Sequence, residues 1–314
     1  METDYGRGAA LAAVIGRAFP GARVAEALPL ADGRRNSNFK LRLEGIEEPM
    51  VLRVYRHDPA LCRKELDLIQ LLKGSVPVPE VIHAEPHGSD DLPPFVLLRY
   101  VEGITFRELR RGGDLEAIAQ AARSVGETLA AIHRHTFSKP GWLSVGLEVT
   151  APLLEGANAM PRFVDRCLAS ANLQARVPAA VCDRVHDLMW SPLPDLEPLE
   201  NQAQLVHGDF NKRNVLVRES RGRWSVAAVL DWEFAISSTP LTDFGNFLRS
   251  ERASRPLAEP HFSNGYLHAG GSLPADWRRL ARLVDLVALC ESLTRDGLPA
   301  DVEAELVALV QATA

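Results

Sequence analysis

Two short apolar segments, residues 215–217 and 226–230, flank a polar turn centred near Gly222. Apolar segments separated by a short polar turn with glycine are typical of a β-hairpin. In that hairpin Asn214 precedes the first strand and Asp231 follows the second, so both lie at its open end. The pattern therefore predicts that a side-chain amide and a carboxylate converge at one end of a hairpin.

A third polar residue, Asp209, lies five positions before Asn214 on the loop that leads into the hairpin. Magnesium prefers oxygen ligands and is usually shared between one or two protein carboxylates and substrate phosphates. Asn214 and Asp231 suit such a site, and Asp209 could accept or orient the proton of an attacking hydroxyl. The spacing His207-x-Asp209-x-x-x-x-Asn214 is that of a kinase catalytic loop, and Asp231 takes the position of the metal-binding Asp that follows it.

The rest of the 314-residue chain divides into two parts near residue 103. After one amphipathic helix, the first part contains mainly extended segments, and the second part contains mainly helical ones. The order predicts an α+β protein with a small β-rich part and a larger helical part. The expected strands are 23–30, 39–43, 50–56, 80–84 and 95–101, and the expected helices are 4–19, 58–73, 115–133, 162–171, 179–189, 277–293 and 301–311.

Two charged residues of the first part, Arg53 and Glu65, lie at positions where a charged side chain needs an oppositely charged partner. Arg53 lies on the expected strand 50–56, whose two faces differ chemically, and Glu65 lies on the apolar stripe of the helix that begins near Asp58. A carboxylate on a buried stripe requires a compensating group. Arg53 and Glu65 are therefore candidates for a pair.

Composition excludes several classes of function. The chain has 35 Lys and Arg against 41 Asp and Glu, a net charge of −6, which disfavours binding to nucleic acids or anionic membranes. Four scattered cysteines form no zinc motif or disulfide framework. The N-terminus resembles no signal peptide, so we expect a cytoplasmic protein. The chain also lacks a P-loop motif and a nucleophile elbow.

The combination of His207-Gly-Asp209, Asn214 and Asp231-Trp-Glu233 resembles the aminoglycoside phosphotransferase and choline kinase-like families of small-molecule kinases. The resemblance implies a bilobal protein kinase-like fold. Residues 1–103 would form the nucleotide-binding lobe with the hinge, and residues 104–314 the catalytic and acceptor-binding lobe. It also implies Mg²⁺ as cofactor, ATP or GTP as co-substrate and a small-molecule acceptor, in a monomer or dimer.

The resemblance also suggests which residues hold the nucleotide. Arg53 stands where a phosphate-binding Lys is usual, and Glu65 stands where the helix-borne partner of that Lys is found. Ser37 or nearby backbone amides would cover the phosphates. The segment 95–103, with Tyr100 and Val101, is similar to the hinge that holds the base.

The catalytic loop is defined here as residues 207–214. The sequence suggests roles for four further residues in or near it. His207, at a strand end, is expected to be a hydrogen-bonded structural histidine rather than a proton carrier. Lys212 and Arg213 either contact the transferring phosphate or are solvated. Asp243 is expected to cap a helix and brace the catalytic loop.

The acceptor is predicted from charge. From Asp231 to the C-terminus the chain has twelve acids and seven arginines, so this segment contributes −5 of the net charge. In the families that the chain resembles, the acceptor lies against the C-terminal helices and acids there recognise its amino groups. The resemblance and this charge together suggest a cationic, hydroxyl-bearing acceptor, with an aminoglycoside or a peptide antibiotic as the main hypothesis. Asp285 and Glu291 are the candidate acceptor-binding acids. A metabolic alcohol such as choline, homoserine or a sugar is the alternative, and a catalytically silent nucleotide-binding module is a further one.

Overall fold

The computed structural model describes residues 8–30, 36–89, 92–251 and 258–314. Within these ranges no helix is both long and apolar enough to cross a membrane. The chain forms two compact units, which we call the N-unit and the C-unit. The N-unit comprises Met1–Gly103, Ser144–Glu148 and Ala227–Glu233, and the C-unit comprises Ile104–Leu143, Val149–Val226 and Phe234–Ala314.

The N-unit is built on a five-stranded sheet in the order β1-β2-β3-β5-β4, in which every neighbouring pair is antiparallel. Helix α1 contributes apolar side chains to the core on one face of this sheet. The elements are α1 (Gly8–Ala18), β1 (Val24–Pro29), β2 (Asn36–Leu43), β3 (Ile46–Tyr55), α2 (Ala60–Leu72), β4 (Val81–Glu85) and β5 (Phe95–Arg99).

Two strands of the N-unit, β2 and β3, are longer than their apolar segments predict, whereas β1 and β5 are shorter than expected. β2 begins at Asn36, three residues before the expected start, and β3 begins at Ile46 rather than at Met50. Polar residues are accommodated because ladder hydrogen bonds to the neighbouring strand extend the pairing, from Asn36 opposite Tyr55 onward. The rest of the expected turn between β1 and β2, residues 31–35, lies outside the described residues.

The C-unit is mainly helical, which confirms the predicted α+β class. Its helices are α3 (Phe106–Gly112), α4 (Leu115–His133), α5 (Ala159–Leu168), α6 (Ala171–Arg176), α7 (Ala179–Trp190), α8 (Leu193–Glu200), α9 (Leu241–Leu248), α10 (His261–His268), α11 (Trp277–Leu293) and α12 (Ala300–Thr313). The expected helix 162–171 is in fact α5 followed by α6, because Ser170 ends one helix region and caps the next.

Short strands position the catalytic loop, and all of them lie in the C-unit except the last three residues of β11. They are β6 (Ile104–Thr105), β7 (Gly141–Leu143), β8 (Val149–Ala151), β9 (Gln204–Val206), β10 (Val215–Ser220), β11 (Arg223–Val229) and β12 (Ile236–Ser238). They form two sheets with the strand orders β11-β10-β6 and β8-β7-β12-β9. The predicted hairpin is confirmed as β10 and β11. The catalytic loop therefore runs from a strand of one sheet to a strand of the other.

Helices α4 and α10 pack so closely that each needs a glycine at the contact. A Cβ atom at Gly126 of α4 would lie 2.0 Å from the carbonyl oxygen of Phe262, and one at Gly265 of α10 would lie 2.1 Å from that of Arg123. These neighbours are backbone atoms, which cannot move without separating the helices. The contact matters for the site because α4 carries His133 at its C-terminal end.

We expect Gly126→Ala and Gly265→Ala each to lower the free energy of unfolding by roughly 1–3 kcal/mol, the usual range for an overpacked core. Gly112→Ala is the control in the same unit, because a Cβ atom there meets nothing within 4 Å. Alanine is the better helix former, so this control should be neutral or slightly stabilising. Denaturant unfolding measures all three variants, and an equal response to all of them would contradict the close contact.

Candidate active site

Asp209 lies in the loop between β9 and β10, and side-chain amides hold its carboxylate. The Asn214 amide nitrogen donates to both the Asp209 backbone oxygen and Oδ2, each at 2.9 Å. Asn211 donates to Oδ1 at 2.9 Å, and Asn246 of α9 lies 3.5 Å from the same oxygen. Both carboxylate oxygens therefore accept hydrogen bonds, which fixes the orientation of the group.

The loop that carries Asp209 is itself held by a buried carboxylate. Asp243 of α9 is fully buried, and it accepts hydrogen bonds from the backbone nitrogens of His207 at 2.9 Å and Gly208 at 3.0 Å. His133 Nε2 lies 3.1 Å from the same carboxylate. The expected brace is confirmed, but Asp243 is the third residue of α9 and bonds the loop rather than capping its own helix.

The first two residues of the loop have structural roles. His207 is fully buried, and its Nδ1 accepts a hydrogen bond from the Asp209 backbone at 3.3 Å, so the structural interpretation is confirmed. Gly208 has φ +77°, and a Cβ atom there would lie 2.3 Å from the Phe234 carbonyl oxygen. Only glycine fits both constraints without strain.

Lys212 follows neither of the two predicted alternatives. It is buried, and its Nζ donates to the Phe247 carbonyl oxygen at 2.5 Å and lies 3.3 Å from Glu251 Oε1. Burial lowers the pKa of Lys212 to about 8, against the opposing charge of Glu251. Lys212 thus fastens the loop to α9, while Arg213 is exposed.

In the N-unit, the buried Arg53 contacts three carboxylates, of which Glu65 and Glu233 are buried as well. Its Nη2 donates to Asp231 Oδ1 at 2.6 Å and lies 3.5 Å from Glu233 Oε2, while its Nε lies 3.1 Å from Glu65 Oε2. Tyr55 also donates a short hydrogen bond to Glu65. The predicted pairing of Arg53 with Glu65 is therefore present, and it is part of a larger network.

The pKa values of the two central groups are both raised, which favours the charged form of Arg53 and the neutral form of Glu65. Burial disfavours the charged form of Arg53, but the charges of Glu65 and Asp231 outweigh burial and raise its pKa. Burial raises the pKa of Glu65, although Arg53 and the Tyr55 hydroxyl oppose this shift. Arg53 consequently remains a cation, as a phosphate-binding group must.

Asp231 has two features that single it out. Its φ is +67°, in the left-handed region that residues other than glycine rarely adopt. Its side chain is about one-third exposed although it bonds to Arg53. Strained backbone positions of this kind are concentrated at functional sites.

Sequence analysis missed two partners of Glu233. Asn36 Nδ2 donates to Glu233 Oε2 at 2.9 Å, and Lys64 Nζ donates to the Glu233 backbone oxygen at 3.0 Å. Burial lowers the pKa of Lys64. Glu233 lies two residues after Asp231, and this position could have indicated that it belongs to the network around Arg53. Nothing in the local sequence pattern identifies Asn36 as its partner.

Three other predicted nucleotide-binding residues also lie in the N-unit. Ser37 Oγ accepts a hydrogen bond from Arg56 at 3.2 Å. Lys40 Nζ lies 3.7 Å from the centre of the Tyr100 ring, and Val101 follows β5 in a half-buried position. Their roles in nucleotide binding stay predictions.

The candidate acceptor-binding acids both have cationic partners. Asp285 is buried and accepts from Arg249 Nη2 at 2.6 Å and Nε at 3.2 Å, and Glu291 is paired with Arg295 at 2.6 Å. Burial opposes the charge on Arg249, but Asp285 and, more weakly, Asp209 raise its pKa. Arg249 is therefore a cation in the field of Asp209 that sequence analysis did not identify. The acceptor roles of Asp285 and Glu291 stay predictions.

The residues proposed as metal ligands have oxygen atoms available. Among the described residues, none donates to Asn214 Oδ1 or to Asp231 Oδ2, since the recorded bonds of these side chains use Asn214 Nδ2 and Asp231 Oδ1. An amide and a carboxylate oxygen suit Mg²⁺. Within the described part of the chain, no group of three or more His, Cys, Asp or Glu side chains could hold a metal ion.

Comparison with known proteins supports one family. The model of the phosphotransferase enzyme family matches residues 26–283. Curated relatives include human acyl-CoA dehydrogenase family member 11, 25% identical over 205 residues, which are 63% of this chain and 23% of that protein. Mouse acyl-CoA dehydrogenase family member 10 is 26% identical over 226 residues, or 69% and 20% of the two chains. The chain thus spans about a quarter or less of these relatives.

Solved structures share the fold over nearly the whole chain. An aminoglycoside phosphotransferase in a ternary complex with AMP-PNP and hygromycin B has a TM-score of 0.64 and 19% identity, covering 97% of this chain and 99% of that one. Another, with GDP and kanamycin, has a TM-score of 0.69 and 18% identity, covering 96% and 97%. These likenesses confirm the protein kinase-like fold, and the family match over most of its length shows that the chain belongs to the phosphotransferase enzyme family.

Proposed function

We propose that the protein transfers the γ-phosphate of ATP or GTP to a hydroxyl group of a small molecule. One observation carries the proposal: the Asp209 carboxylate is oriented by amides of Asn211 and Asn214, on a loop braced by a buried Asp243. A general base must be held in a fixed orientation toward the hydroxyl from which it takes the proton.

The transfer would proceed by in-line attack. The acceptor oxygen forms a bond to the γ-phosphorus while the bond from that phosphorus to the β,γ-bridging oxygen breaks, releasing the nucleoside diphosphate. Asp209 accepts the hydroxyl proton. Asn214 and Asp231 would hold Mg²⁺, which neutralises charge on the β- and γ-phosphates.

Arg53 would pair with the nucleotide phosphates, with Glu65 keeping it in place. Support comes from its position: Arg53 contacts both Glu65 and Asp231, so it lies beside a proposed metal ligand. A guanidinium presents several N–H groups and could contact a phosphate while keeping one carboxylate partner. Ser37 would lie over the phosphates, and Tyr100 and Val101 would hold the base.

The acceptor proposal is a hydroxyl-bearing cation such as an aminoglycoside. It is supported by the acidic excess after residue 231 and by the complexes of structurally similar enzymes with hygromycin B and kanamycin. A metabolic alcohol is the second candidate. The observation that favours it is the bidentate contact of Arg249 with Asp285. Because Arg249 neutralises the charge of Asp285, this acid attracts a cationic acceptor less than the sequence predicts.

A nucleotide-consumption screen across aminoglycosides, cyclic-peptide antibiotics, macrolides, choline, homoserine and sugars separates these candidates. We expect turnover to be confined to cationic acceptors, because the acidic segment would attract them. Turnover of neutral or anionic acceptors alone would refute the charge argument and leave the phosphotransferase proposal intact. Nucleotide binding without turnover of any compound would favour a catalytically silent module.

With an acceptor found in this screen, Asp209→Asn should lower kcat by on the order of 10²–10⁴-fold, because the amide cannot accept the hydroxyl proton. Nucleotide affinity, measured by calorimetry, should change little. Asp183→Asn is the matched control, since Asp183 is exposed on α7. Near wild-type turnover by Asp209→Asn would remove Asp209 from the mechanism.

Substitutions of Arg53 test the nucleotide site. Arg53→Lys keeps a cation beside Glu65, so we expect the nucleotide KM to rise only by about tenfold or less. Arg53→Ala leaves buried carboxylates uncompensated, and we expect it to lose both nucleotide use and about 3–5 kcal/mol of stability. Steady-state kinetics and denaturant unfolding measure the two effects. If both folded variants had wild-type nucleotide kinetics, Arg53 would lie outside the nucleotide site.

A further inference from the structure

The C-unit contains a cavity of about 630 Å³ whose lining includes no residue assigned to catalysis above. It is bordered by the C-terminal end of α4, helix α8, the first residues of α9 and the loop after α10. Gln204, at the start of β9, lines it, whereas Asp209 lies three residues beyond the end of that strand. The volume is in the range of small-molecule sites.

Most of the cavity wall is apolar and rigid. It includes Pro194, Pro198 and Leu199 of α8 and Leu241 of α9. Proline side chains lose little conformational freedom when a ligand covers them, so a preformed apolar wall of this kind favours binding. The wall therefore suits an apolar ligand body.

One charged group in the lining lacks a partner. Arg134 is exposed at the end of α4, and among the described residues none pairs with its guanidinium. The acid in the lining, Asp195, is already compensated, because it lies 2.6 Å from Arg279.

We propose that this cavity binds a small amphipathic carboxylate. Its apolar body packs on the proline and leucine wall, and its carboxylate pairs with Arg134. A cation is disfavoured because the unpaired charge in the lining is positive.

The cavity also contacts the residues that brace the catalytic loop. Tyr266 and His133 both line it, and the Tyr266 hydroxyl lies 3.1 Å from His133 Nδ1. His133 Nε2 lies 3.1 Å from Asp243 Oδ2, which accepts the hydrogen bond of the His207 backbone. A ligand that shifts Tyr266 or His133 therefore alters the hydrogen bonds of Asp243. This coupling rests on the proposed function of the loop, whereas ligand binding does not.

Indole-3-acetate is the probe, titrated into the full chain and followed by calorimetry and ligand-observed NMR. It supplies an apolar ring and a carboxylate. We expect saturable binding at or below about 1 mM. Indole-3-ethanol keeps the ring but lacks the carboxylate, so it should bind on the order of tenfold more weakly. Absence of saturable binding, or equal binding of the two compounds, would overturn the proposal.

Variants locate the site. Arg134→Ala should weaken indole-3-acetate binding by about tenfold, and Ser272→Trp, at an exposed lining position, should block it. Arg218→Ala is the control, because Arg218 is exposed on β10 and does not line the cavity. All three substitutions are at exposed positions, so the chain should fold. Unchanged binding in both Arg134→Ala and Ser272→Trp would show that the probe binds elsewhere.

Hydrogen exchange tests the coupling without any assay of phosphate transfer. In wild type, saturating indole-3-acetate should change the exchange rate of the amides in residues 205–210 by at least about threefold, and in Ser272→Trp it should not. Binding with unchanged exchange in this segment would overturn the coupling and leave the binding site standing. Loss of turnover in the acceptor screen would affect neither result.

Discussion

A buried carboxylate, that of Asp243, positions the loop that carries Asp209. It accepts two backbone hydrogen bonds from the loop, at His207 and Gly208, and contacts His133. Hydrogen bonds to a charged acceptor are about twice as strong as neutral ones, and burial protects them from water. The geometry of Asp209 therefore depends on a residue 34 positions away in the sequence that would not itself touch a substrate.

A second buried charge organises the N-unit in a comparable way. Arg53 is about nine-tenths buried and contacts Glu65, Asp231 and Glu233. Without its positive charge, the negative charges of these carboxylates would be uncompensated, which is strongly destabilising. Lys64 is a second buried cation of the network, since its Nζ donates to the Glu233 backbone oxygen. Two cations therefore face three carboxylates, of which the side chain of Asp231 is the most exposed. The carboxylate that the sequence predicts as a metal ligand is thus the one in this network that solvent reaches.

The structure also changes how the acidic C-terminal segment is understood. Several of its acids are paired with arginines: Asp285 with Arg249, Glu259 with Arg278, Asp276 with Arg279 and Glu291 with Arg295. Paired acids attract a cationic ligand less than their number suggests, because the neighbouring guanidinium cancels most of the field. The segment keeps a net charge of −5, so it still favours a cationic ligand, but less strongly than twelve unpaired acids would.

By itself, the sequence determined the α+β class, the hairpin of β10 and β11 and the spacing of Asp209, Asn214 and Asp231. These features are local, since each depends on the alternation of apolar residues or on a few positions along one segment. Tertiary structure decided the partners: that Arg53 bonds Asp231 as well as Glu65, that Asn36 reaches Glu233, and that Lys212 is buried against Phe247 and Glu251. Such contacts join residues up to 197 positions apart, and no local pattern records which buried charges the fold brings together.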